Sequence, residues 1–156
     1  MNIGQFVHLS VDDVIWSFQW IYENKPQSIF EEPMLKKLKE WNETYNLNCD
    51  LYVFEECPNF RLEWLQDCYW EELKKESGWL KLAWHEEVAA DSNEESNSLA
   101  SLERTYNLIV SKAGISSWAT VIRLHMWFAR KSVIERLKQK NVVALLTSNV
   151  NKRSYQ

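Results

Sequence analysis

The chain has 156 residues, 46% of them hydrophobic and 26% charged, with a formal net charge of −4, the make-up of a single globular domain over residues 1–156. No long Lys/Arg stripe interrupts this mild acidity, which argues against a nucleic-acid surface, because phosphate binding needs clustered positive charge. No run approaches the ~20 apolar residues that span a bilayer, and MNIGQFVHLSVDD meets acidic residues before any long apolar stretch, so neither a signal peptide nor a membrane partner is expected.

Residues 5–11 (QFVHLSV) read as a short apolar strand, after which Val14, Ile15, Phe18, Ile21 and Tyr22 recur at helical spacing. Beyond the breakers Pro26 and Pro33, a second helical segment carries Leu35, Leu38, Trp41 and Tyr45 on one face. Residues 49–54 (CDLYVF) form a second strand, stopped by EECP, and Phe60, Trp64, Cys68, Tyr69 and Leu73 make an apolar helical stripe that ends at Ser77-Gly78. Residues 79–84 (WLKLAW) are a third strand, and the acidic stretch 86–98 is a solvated loop. Leu99, Leu102, Tyr106 and Ile109 mark the next helix, closed by Lys112-Ala113-Gly114. A fourth strand covers 119–124 (ATVIRL), a helix carries Val133, Ile134 and Leu137, and a fifth strand covers 142–146 (VVALL).

Strands separated by helical crossovers cannot be hairpin-joined, so the fold class is α/β with a mainly parallel sheet and right-handed connections. The pattern fits an open sheet and a fragment of a (β/α) barrel alike. Five such units are too few for a closed eight-stranded barrel, which takes about 250 residues, and the chain reads as a domain cut short after its fifth strand. Open edges on such a sheet invite association, so a homo-oligomer is expected. The three cysteines, Cys49, Cys57 and Cys68, lack a C-x-x-C spacing and read as reduced thiols of a cytoplasmic protein.

Ligands of parallel α/β folds sit at the carboxyl ends of the strands, and this chain concentrates its chemistry there. Asp12-Asp13 follows the first strand, Glu55-Glu56 the second, His85-Glu86-Glu87 the third, Arg123-Leu124-His125 the fourth and Thr147-Ser148-Asn149 the fifth. One carboxylate and two imidazoles, from Asp13, His85 and His125, suit a divalent transition metal with positions left for water. A second carboxylate beside them, Asp12, could take a proton from that water. An Asp after a strand is also a common helix N-cap, and a lone histidine is commonly a satisfied core or surface group, the reading given to His8 inside its strand. Trp16, Trp84 and Trp127 flank the same strand ends; each is either a core residue or a wall on which a sugar ring stacks.

The motifs VHLSVDDV, GWLKLAWHEE and IRLHMWFA…VIERLKQKNVVALLTS together resemble the polysaccharide deacetylase superfamily, in its divergent branch, in the same order and over nearly the whole chain. The resemblance implies an incomplete or distorted (β/α) barrel lacking its C-terminal part. It also implies a metal-dependent hydrolase, with Zn²⁺ or a similar divalent ion, that removes an N-acetyl group from a carbohydrate. Asp12 would then be the general base, Asp13 and His85 metal ligands, and Arg123 the residue that orients the catalytic carboxylate. The family's second motif carries a further histidine soon after the first, where this chain has Ala89. His125 as the replacement ligand, and Trp84 and Trp127 as substrate-binding walls, are readings of the residues and not of the family. The family's catalytic acid lies beyond the last residue here, so the alternative is a non-catalytic deacetylase-like protein that binds a glycan or another subunit.

Overall fold

A computed structural model describes residues 7–85, 95–124 and 130–146. The first strand, β1 (Val7–Val11), leads into helix α1 (Ile15–Asn24), and α2 (Pro33–Tyr45) returns the chain to β2 (Leu47–Val53). Helix α1 stops where Lys25 turns left-handed, and α2 stops at Asn46 in the same way. Pro33 opens α2 at a position that needs no backbone donor, while the Glu32 carboxylate accepts the free Leu35 N–H at 2.7 Å.

A small hairpin follows, β3 (Glu56–Cys57) against β4 (Phe60–Arg61), turning through Pro58 and a left-handed Asn59 with φ of 66°. The apolar stripe expected to run as one helix from Phe60 to Leu73 is therefore divided. Helix α3 spans only Asp67–Lys75, and Cys68, expected on the stripe, is exposed. Turn chemistry overrides the helical spacing here, because the Pro58-Asn59 reversal pairs Phe60 and Arg61 with Cys57 and Glu56, and residues 62–64 make only a short 3-10 turn.

Strand β5 (Leu80–Trp84) joins the same sheet, and α4 (Glu95–Ala113) packs beside it. The pairing is parallel throughout, in the order β1-β2-β5, with Ser10 opposite Asp50 and Asp50 opposite Lys81. A parallel bridge from Leu82 to Trp118, with Ala119 N–H donating to Leu82 O at 2.8 Å, carries the chain to β6 (Val121–Ile122). After α5 (Lys131–Gln139), β7 (Ala144–Leu145) pairs parallel with β6. The fourth and fifth strands are thus present but shorter than the alternation predicts. The described strands follow one another in chain order and do not close into a barrel.

Side chains alternate across a strand, and the two faces of this sheet differ sharply. Cys49, Leu51 and Val53 of β2, with Leu80, Leu82 and Trp84 of β5, lie on one face and are buried in a single core with Phe18, Ile21 and Leu35 of the helices. The other face carries Ser10, then Asp50 and Tyr52, then Lys81 and Ala83, and it leads up to Asp12, Phe54 and His85 at the strand ends. The helices cover the apolar face, while on the other face Tyr52 and Ala83 are buried with Asp50 and His85.

Candidate active site

Asp12 and Asp13 end β1 on a turn whose second residue, Asp13, has φ of 57°. Aspartate tolerates this left-handed conformation better than other side chains with a Cβ. The turn is pinned to the neighbouring strand by Val14 N–H, which donates to Tyr52 O at 3.1 Å. Neither aspartate caps α1: the cap position is Val14, and no side chain closes that helix end. The capping account of the Asp-Asp pair therefore does not apply.

The two carboxylates instead reach across the sheet. Asp12 Oδ1 accepts two hydrogen bonds from Arg123, from Nε at 3.0 Å and Nη2 at 2.8 Å. Asp13 Oδ1 lies 3.5 Å from His85 Nε2. Strand ends that are far apart in sequence thus bring together Asp12, Asp13, His85 and Arg123, four of the residues predicted for the site.

The imidazole of His85 is held in one tautomer. Its Nδ1 lies 2.9 Å from the Arg123 carbonyl oxygen, which can only accept, so Nδ1 carries the proton. In the neutral ring Nε2 then presents a lone pair toward Asp13. A proton on Nε2 or a cation held by both groups would make this 3.5 Å approach favourable. Ligands at ~2.1 Å from a tetrahedral ion stand about 3.4 Å apart, so the pair fits two adjacent positions on one ion. Among the described residues no third His, Cys, Asp or Glu completes a cluster; His125 lies outside them, as do Trp127, Glu86, Glu87, Ala89 and 147–149.

Aromatic residues that the sequence reading treated only as strand filler build the floor. The Tyr52 ring stacks near that of His85 at 6.1 Å and 20°, and Phe54 lies 5.1 Å from the same imidazole. The Arg123 guanidinium sits 5.9 Å from the Tyr52 ring, whose hydroxyl donates to Val121 O at 3.1 Å. Burial, then the charge of Asp50, push the phenol well above the ordinary tyrosine range, so it remains a neutral donor. The period-two alternation through Asp50, Tyr52 and Phe54 was the available signal, since it puts all three on the face that carries Asp12.

Lower on this face, His8 is a satisfied surface group, as its place in the strand led one to expect. It is half-exposed, and its Nε2 lies 3.3 Å from the carboxylate of Asp50, which is buried. Trp84 does not reach the site. It is 1% exposed, points into the helix-covered core, and donates its indole N–H to Ser101 Oγ at 3.2 Å. Adjacent strand residues face opposite ways, so placing His85 in the site removes Trp84 from it, and a stacking wall at Trp84 is ruled out. Trp16, by contrast, is 54% exposed three residues beyond Asp13. Glu55, at the end of the second strand, is mostly covered and grips Arg104 through both oxygens, at 2.5 and 2.8 Å.

No helix among the described residues is long and apolar enough to cross a membrane. Comparison with protein families, with curated proteins and with solved structures returns no match to this chain.

Proposed function

We propose that this chain is a metal-dependent hydrolase that acts on the N-acetyl group of a carbohydrate, on a scaffold corresponding to part of a (β/α) barrel. The observation that carries the reading is the division of labour between the two aspartates. Asp13 faces an imidazole lone pair across 3.5 Å, and Asp12 is held aside by a guanidinium fork. Asp13 and His85 would hold the ion, with His125 the candidate third ligand. A divalent ion there would polarise an acyl oxygen and make water nucleophilic near neutral pH. Strand order that follows the chain, without a reversal, supports the barrel relationship.

Asp12 would accept the proton. Its Oδ1 is occupied by Arg123, which fixes the carboxylate plane and leaves Oδ2 for the reacting water. Arg123 serves twice, because its side chain orients Asp12 and its carbonyl sets the His85 tautomer. Tyr52 and Phe54 keep bulk water from one side of the imidazole. The exposed indole of Trp16, three residues beyond Asp13 in the chain, supports the carbohydrate assignment, since it offers a flat apolar face of the kind on which a sugar ring stacks.

Acetate release from N-acetylglucosamine oligomers, measured with added Zn²⁺ and with a chelator, tests this directly. The expected outcome is zinc-dependent release that Asp12→Asn abolishes. Release that is absent with Zn²⁺, while the same oligomers still bind, would favour the non-catalytic reading.

A further inference from the structure

Strand β6 runs directly into Arg123, and this segment is joined to its two neighbours in different ways. Toward β7 its carbonyls follow a backbone ladder, with Val143 N–H donating to Thr120 O and Leu146 N–H to Ile122 O, both at 2.8 Å. Toward β5 the ladder among the described residues reaches only Ala119, whose N–H donates to Leu82 O. Beyond that point the alternate carbonyls, Val121 O and Arg123 O, are met by side chains instead of a strand. Tyr52 Oη donates to Val121 O at 3.1 Å, and His85 Nδ1 donates to Arg123 O at 2.9 Å. A buried backbone carbonyl needs such a donor, so these two bonds stand in for the missing ladder.

Tyr52 makes its bond from β2, with Ala83 of β5 as its register partner on the same face. The methyl group of Ala83 leaves the path across β5 open to the phenol. The backbone of the same tyrosine holds the other half of the site, because Tyr52 O accepts Val14 N–H at 3.1 Å, immediately after Asp13. Its hydroxyl bond falls two residues before Arg123. One fully buried residue is thus tied to both segments that meet in the Asp12–Arg123 ion pair. Shielding the imidazole needs only the ring, so the hydroxyl has a task of its own.

We propose that Tyr52 is a positioning residue: its hydroxyl, through Val121 O, holds Arg123 at the span where the guanidinium meets Asp12 and the carbonyl meets His85 Nδ1. The effect on turnover rests on the hydrolase reading above; the effect on geometry does not. The test is Tyr52→Phe in the full chain, which keeps the ring and removes only the hydroxyl. Metal-free nitrogen NMR at about pH 8, where an ordinary imidazole is neutral, reads the His85 tautomer. The Arg123 Nε–H, which exchanges more slowly in weak acid, is read in a second sample. Wild type should show His85 protonated on Nδ1 and a protected Arg123 Nε–H. In Tyr52→Phe the Nε2-protonated form should appear, and the Arg123 Nε–H should exchange about tenfold faster as its local opening becomes easier. Ile109→Val, a core change on α4, should lower Tm and leave both signals in place. In zinc-dependent acetate release, kcat of Tyr52→Phe should fall about tenfold or more, the mark of lost alignment, with KM little changed. Folded Tyr52→Phe protein with wild-type signals at both residues overturns the proposal, since the hydroxyl would then serve stability alone. So does a wild type whose Tyr52 hydroxyl proton is unprotected from exchange, a measurement that does not need the variant to fold. If the wild type releases no acetate, the hydrolase reading falls and the NMR signals still decide this one.

Discussion

The ion pair between Asp12 and Arg123 joins residues 111 positions apart, and its energy follows from its geometry. Two charge-assisted hydrogen bonds of 3.0 and 2.8 Å converge on one oxygen, but the side chains are 36% and 27% exposed. A fully exposed pair contributes roughly 0.2–1 kcal/mol, and a well-buried charged hydrogen bond about 1.5–3 kcal/mol. Partial exposure places this pair near the join of the two ranges, at roughly 1 kcal/mol. A double-mutant cycle of Asp12→Asn and Arg123→Gln, read by urea denaturation, should give that coupling. The substitution at position 123 leaves its backbone carbonyl in place, so the His85 tautomer survives. Turnover should therefore fall steeply in Arg123→Gln while zinc affinity stays within about threefold of wild type, a change of less than ~0.7 kcal/mol. A coupling below about 0.3 kcal/mol, the scatter expected of independent sites, would refute the reasoning, and so would parallel loss of turnover and zinc affinity.

Three further predictions concern the rest of the sheet. Trp84→Ala should cost about 3–5 kcal/mol of stability and leave glycan affinity alone, checked by denaturation beside a sugar titration; weakened glycan binding in a folded variant would contradict the core assignment. Thiol titration should find Cys68 reacting at once and Cys49 only on unfolding, because burial, then the neighbouring Asp50 charge, push the Cys49 thiol up to about 12. Asp50 is raised above the ordinary carboxylate range by burial, with His8 and Lys81 pulling the other way. Its folded pKa then exceeds its unfolded one, so its contribution to stability is greatest at low pH and is lost as pH rises from about 4 through the raised value. Denaturation of wild type and Asp50→Asn across pH should show their stability difference moving in the variant's favour as pH rises, and a flat or opposite difference would contradict the burial.

What the sequence disclosed about this molecule was mostly periodicity. Alternating apolar runs and helical stripes located every long element, and the positions of Asp12-Asp13, His85 and Arg123 at strand ends followed from the parallel topology those runs imply. Contacts set by backbone conformation were not legible. The left-handed turn at Asp13, which turns the Asp-Asp pair away from helix capping, has no signature beyond the aspartate itself. The hairpin at Pro58-Asn59 was hidden by residues whose spacing also suits a helix. In the sequence Trp84 is open between core and wall, although the alternation of strand faces, with His85 in the site, already turns it toward the core. The same alternation, applied to β2, would have placed Tyr52 and Phe54 beneath the site.

The central claim is that Asp13 and His85 face each other across a cation site while Asp12 stands beside it. Calorimetric titration of Zn²⁺ into the wild type, His85→Ala, Asp13→Asn and Asp12→Asn tests it most directly. The account predicts one saturable site in the wild type, lost in the first two variants and retained in Asp12→Asn. A wild type without saturable binding, or a His85→Ala variant that binds as tightly as wild type, would contradict it.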